Sequence, residues 1–165
     1  MLILKGKSQM EIWKMFINPF LLVPISAWLV AQVLKTIINA IVNKEFAPSR
    51  LFGDGGMPSG HSATVTALAF VCGFVEGFDT PYFAIAAILA VVVMHDAMGV
   101  RRETGKQALS IMKIVDVINE YVSEKDKDIK TDKLKVMVGH TPLQVVCGFL
   151  LGFVIALAYY LIFVL

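Results

Sequence analysis

Along this chain, hydrophobic and polar positions separate into four long apolar runs, with nearly all of the charge lying between them. The first run extends from about Asn18 to Val42 and is broken only by Gln32, Lys35 and Asn39. The second begins at Pro58 and reaches about Gly77, the third covers about Tyr82 to Met98, and the fourth runs from Thr141 to Leu165. A bilayer core is crossed by about 20 apolar residues in a helix, so each run reads as a transmembrane helix. Pro58 is expected at the first helical position, where its missing N–H costs nothing. The last two turns of the first run read as wet.

Between the third and fourth runs the pattern changes. From Gly99 to Gly139 the chain is polar, and Ala108, Met112, Val115, Ile118 and Val122 recur at helical spacing with Lys113, Asp116 and Glu120 between them. That period predicts one amphipathic helix outside the membrane core. The alternating charges from Glu124 to Lys135 predict a solvated loop. The fold expected is therefore all-α: a single membrane domain over 1–165, an integral bundle of about four transmembrane helices, with the extramembrane amphipathic helix and charged loop inserted at about 105–138.

Composition agrees with this reading and narrows it. The chain is 57% hydrophobic and 17% charged, with a mean hydropathy of +0.72, whereas soluble domains average about 45–50% apolar and 25% charged. A net charge of +2, with no basic run interleaved with aromatics, gives no reason to expect nucleic acid as a partner. Cys72 and Cys147 fall inside apolar runs and read as small hydrophobes. No small-residue cleavage site follows the first run, so it is expected to be retained.

Four spans put the loop after the first and the loop after the third on one side of the membrane. Lys44, Arg50, His61, His95, Asp96, Arg101, Arg102 and His140 can then face one pocket, while the other side offers Glu76, Asp79 and the termini. In Met57-Pro58-Ser59-Gly60-His61-Ser62 a glycine-rich turn and a helix N-terminus stand beside a histidine, which makes an anion site with a proton donor. An ordinary serine-capped helix start would carry the same letters. Arg101 and Arg102 can clamp phosphate or anchor a span at the interface. Asp96 reads either as a carboxylate for a histidine or as a salt-bridge partner for those arginines.

Taken together, these segments resemble the type 2 phosphatidic acid phosphatase superfamily, and within it the divergent branch of small membrane proteins. Pro58, Ser59, Gly60 and His61 match its second motif letter for letter. Its third motif reads as split: Arg101 and Gly105 keep the arginine-to-glycine spacing with Gln107 at the histidine position, and Gly139-His140-Thr141-Pro142 resumes the motif, with Gln144 where the family has aspartate. The first motif is loose. Lys44 lies six residues before Arg50 where the family has seven, and Lys35, a lysine inside a span, is the favoured candidate. The resemblance implies a metal-free, cofactor-free phosphohistidine mechanism. In it His140 attacks phosphorus, Gln144 orients His140, His61 protonates the leaving alcohol, and Lys35, Arg50, Ser59, Gly60, Arg101 and Arg102 hold the phosphoryl oxygens.

The partners expected are membrane lipid and a lipid phosphate or pyrophosphate. A homodimer is compatible with the small-residue pairs Gly73/Gly77 and Gly148/Gly152, although packing within one chain is the default reading of such pairs. Lysines and arginines number 3 on the side of the termini against 11 on the side of the site, which places the site in the cytoplasm of a cell with, as expected here, a bacterial plasma membrane. Two rival readings stand beside the enzyme: a non-catalytic lipid-phosphate binder or scaffold that keeps the phosphate cradle, favoured by Gln144 and Gln107, and, more distantly, a transporter or channel subunit.

Overall fold

The computed structural model describes residues 14–44, 55–121 and 140–165. They form long helices and no strand: α1 (Pro19–Asn43), α2 (Gly60–Glu76), α3 (Pro81–Met98), α4 (Val100–Tyr121) and α5 (Pro142–Phe163). The charged stretch from Glu124 to Lys135 lies outside the described residues.

Three of these helices start on one local signature, a polar cap followed by proline. Asn18, Thr80 and Thr141 each accept a backbone N–H of the first turn, and Pro19, Pro81 and Pro142 follow them. The start of α2 differs from the expectation. Its cap is Ser59, whose Oγ accepts the N–H of Ser62 at 3.3 Å, so the helix begins at Gly60 and Pro58 stands two residues before it. Proline has no side-chain acceptor with which to cap, and the serine beside it has one.

Helix α1, at 25 residues, is about 37 Å long, more than the roughly 30 Å of a bilayer core. Helix α2 has 17 residues, the short end of the spanning range, and is enclosed by α1, α3 and α5. It nevertheless traverses the bundle. Its first turn meets Trp28 and Lys35 of α1 and the start of α5, while Glu76 at its far end shares a groove with Phe20 and Tyr82, at the starts of α1 and α3. The chain is thus a helical membrane bundle.

The core is built from small side chains. Ala27 and Ala31 of α1, Ala63 and Ala67 of α2 and Ala156 of α5 are fully buried together, which lets backbones approach closely in a solvent where burial of large apolar groups drives nothing. Gly148 and Gly152 carry the α2–α5 seam. A Cβ at Gly148 would run into the carbonyl of Ser59 and lie 2.8 Å from Cβ of Ser62; one at Gly152 would meet the carbonyl of Ala63 and lie 3.0 Å from the nitrogen of Ala67. The Gly73/Gly77 pair does something else. Gly73 is covered by the ring of Phe78, and Gly77, at φ +110°, ends α2.

The amphipathic helix starts earlier than expected, at Val100 instead of about residue 105, directly after Gly99. Extending an existing helix end costs far less than nucleating a new one. The Glu103 N–H bonds back to the Gly99 carbonyl at 3.1 Å, and the Glu103–Lys106 pair at 2.6 Å supports the first turns.

Candidate functional site

Two backbone hydrogen bonds assemble the site from three separate segments. The N–H of Ser59, in the turn before α2, donates to the carbonyl of Gln144 in the first turn of α5 at 2.9 Å. The N–H of His140 donates to the carbonyl of Ala97, near the end of α3, at 3.1 Å. The Pro-Ser-Gly-His turn, the end of α3 and the start of α5 therefore meet at one end of the bundle. His140 is thereby joined to the end of α3, four residues before Arg101, across some forty residues of sequence.

Within this junction the rings of His61 and His140 lie edge to face, with centroids 6.0 Å apart and planes inclined by 61°. His140 is buried, at 4% exposure, and His61 is half-buried.

The orientation of His140 is set by a capping box. Gln144 Oε1 accepts the backbone N–H of Thr141 at 3.0 Å, and Thr141 Oγ1 accepts the N–H of Gln144 at 3.4 Å. Because a backbone amide only donates, the Gln144 atom facing it is the oxygen. The same Oε1 lies 3.1 Å from Nδ1 of His140. Facing an acceptor, Nδ1 is the nitrogen placed to carry the proton, and Nε2 is then the basic nitrogen of the neutral ring.

Lys35 reaches this junction and Lys44 does not. At 4% exposure, Lys35 is buried, and its stem fills the space beside Gly56, where a Cβ would come within 2.9 Å of Lys35 Cγ. Its Nζ stands 4.0 Å from the Cβ position of Gly60. Gly56 has φ +100°, and both that conformation and the close lysine stem favour glycine there. A small cavity of about 150 Å³ lies on this side, lined by Lys35, Asn39, Gly55 and Gly56 among others. Lys44 is exposed and forms the left-handed cap of α1.

The other candidates divide. Ser59 is fully buried, and its Oγ accepts from both the N–H and the Oγ of Ser62, so in this arrangement it caps α2 at the floor of the site. Gly60 is also buried, with its amide at the first helical position, where the helix provides no carbonyl for it. Asp96 is half-buried one residue from Ala97, whose carbonyl holds His140. Arg101 and Arg102 lie in the first turn of α4, beside the junction in sequence, but their side chains lie outside the described residues, as does Arg50.

Two features went unread in the sequence. Trp28 packs on Gly60, at 3.3 Å from its Cβ position, and with Ile25, His61, Thr64, Val65 and Val93 lines a groove of about 380 Å³ whose walls are otherwise apolar. Gln32, between Trp28 and Lys35 on one face of α1, is buried, and its Oε1 has no hydrogen-bond partner among the described residues. Its signal was present: a polar residue inside a span faces the protein interior by default.

Comparison with known proteins gives one family. The sequence profile described as "Divergent PAP2 family" matches residues 16–155. The chain is similar to the "Uncharacterized membrane protein YuiD" of Bacillus subtilis (strain 168), 42% identical over 144 residues that cover 83% of this chain and 90% of that protein. No solved structure matches.

Proposed function

The chain is a membrane protein that belongs to the divergent PAP2 family, and from that premise we propose that it is a phosphatase or phosphotransferase acting on a lipid phosphate monoester or pyrophosphate through a phosphohistidine. The observation that carries the reading is the pair of adjoining rings, His61 and His140, with Nδ1 of His140 tied to an acceptor.

In this reading the Nε2 lone pair of His140 attacks phosphorus. The bond to the lipid oxygen breaks, and protonated His61 delivers its proton to that oxygen, releasing the alcohol, or the shorter phosphate of a pyrophosphate. Neutral His61 then takes a proton from water as the water oxygen attacks the phosphohistidine, inorganic phosphate leaves, and both histidines return to their starting states. Lys35, the amide of Gly60, and Arg50, Arg101 and Arg102 carry the charge of the phosphoryl oxygens, while Asp96 serves as a carboxylate beside His140 or balances an arginine. The apolar groove at His61 suits a substrate with a long chain. Gln144 orients His140 without a negative charge to stabilise its imidazolium, so turnover is expected to be slow.

The Gln144 amide also supports a second reading, a lipid-phosphate binder without turnover. Purified protein incubated with phosphatidate and with polyprenyl pyrophosphate distinguishes the two. Phosphate release that disappears in His140→Ala supports the enzyme; binding of these lipids with no release from wild type supports the binder; release undiminished in His140→Ala overturns the mechanism. The excess of basic residues beside the site supports a cytoplasmic placement, and the likeness to a bacterial membrane protein supports a bacterial plasma membrane.

A further inference from the structure

Helices α3 and α4 follow one another almost without a break, a helical run of 38 residues from Pro81 to Ile118. Laid straight, such a run is about 57 Å long, nearly twice the roughly 30 Å of a bilayer core. Helix α3 alone, at 18 residues, already accounts for one crossing. The two join at Gly99, whose ψ of −89° departs from helical geometry. Helix α4 must therefore leave the core, and its three sides say where it goes.

One side faces the bundle: Gly105 is buried, and Ala108, Met112 and Val115 are half-buried. A second side is polar, with Lys106 and Lys113 exposed two turns apart and Lys106 paired to Glu103, although Leu109 and Val117 are exposed at its margins. The third side is an exposed ridge of Ile111, Ile114 and Ile118, at 49%, 58% and 41% exposure, interrupted by exposed Gln107 toward the start of the helix. Among the described residues α4 packs against α3 and no other helix. The exposed face of α3 is likewise apolar, through Ile85, Ile88 and Val92, and on a membrane-spanning helix that face meets lipid.

We infer that α4 lies in the plane of the membrane interface on the side of the site, with the ridge Ile111, Ile114 and Ile118 seated at the boundary of phospholipid headgroups and acyl chains and with Lys106 and Lys113 in water. The occupant of the ridge is the bilayer itself, continuous with the lipid that surrounds α3. A helix of this kind combines a strong apolar face with a charged one and low overall hydrophobicity, which sets α4 apart from its wholly apolar neighbours. The consequence for the site is one of depth. His140 hangs from Ala97 in the last turn of α3, so an α4 held at the interface keeps His140 at headgroup level. This inference does not depend on turnover.

Nitroxide labels on the full-length protein in phosphatidylcholine–phosphatidylglycerol vesicles test it. Single cysteines replace Ile111, Ile114, Ile118, Lys106 or Lys113 in a Cys72→Ala, Cys147→Ala background. The three isoleucine positions should collide readily with oxygen and be shielded from a water-soluble nickel chelate, at depths of about 5–10 Å, while the lysine positions show the reverse. Nickel access at Ile111, Ile114 and Ile118 equal to that at Lys113 would overturn the inference. So would shielding of the ridge from both reagents, which would mean that protein covers it, whether a second copy or another segment of this chain. Should a label at Ile114 disturb folding, brominated-lipid quenching of Ile118→Trp in a Trp13→Phe, Trp28→Phe background reads the same depth, and absence of quenching counts against the interface.

Discussion

The side-chain oxygen of Gln144 stands 3.0 Å from the backbone nitrogen of Thr141 and 3.1 Å from Nδ1 of His140. One atom therefore closes the capping box of α5 and fixes which nitrogen of His140 bears the proton. Helix start and candidate nucleophile are coupled, which makes their effects separable only by a graded series of substitutions.

Gln144→Leu removes both hydrogen bonds. It should lower phosphate release roughly 10-fold and cost about 1 kcal/mol of stability from the lost cap. Gln144→Glu keeps an acceptor of the same length at both partners and adds a negative charge beside the imidazolium. It should raise kcat above wild type while leaving the thermal midpoint in detergent close to the wild-type value; a kcat no higher than that of wild type would show that charge at this position does not limit turnover.

His61→Ala should slow release from an alkyl lipid phosphate by about 10²–10⁴-fold, the usual range for a general acid. Release from an aryl phosphate whose phenol leaves without protonation should fall much less. Equal losses on both substrates would remove His61 from the role of acid.

Lys35→Met substitutes an apolar side chain of similar length at a buried position. A hydrogen bond to a charged group contributes about 1.5–3 kcal/mol, so lipid-phosphate affinity should fall roughly 10–100-fold with no loss of thermal stability. Lys44→Met, at the exposed cap of α1, should change neither. Titration of both variants with a soluble short-chain phosphatidate reads the difference.

Gly148→Ala and Gly152→Ala each push a methyl group into the backbone of α2 and should cost about 1–3 kcal/mol by overpacking. Gly73→Ala meets only the ring of Phe78, which is 52% exposed and can swing aside. Its midpoint should fall less than that of either seam variant in the same detergent melt.

What the sequence determined by itself is local. Apolar runs long enough to cross a bilayer, and the pairs Asn18-Pro19, Thr80-Pro81 and Thr141-Pro142, define helices because capping and hydropathy act over a few neighbouring residues. The letters around His61 and His140 were sufficient to name both histidines as candidates and Gln144 as the residue that orients one of them. Tertiary structure decided everything that depends on which surfaces meet. Nothing local distinguishes Gly148/Gly152, which seat α5 on α2, from Gly73/Gly77, which end a helix, because the difference lies in what stands opposite each missing Cβ. The same holds for Lys35 over Lys44, since a lysine joins the site through the helix face it occupies and not through its spacing from an arginine. Two backbone hydrogen bonds, Ser59 to Gln144 and His140 to Ala97, join three segments that lie far apart in the sequence. Backbone groups are alike at every residue, so only the packing of the helices could bring these four together.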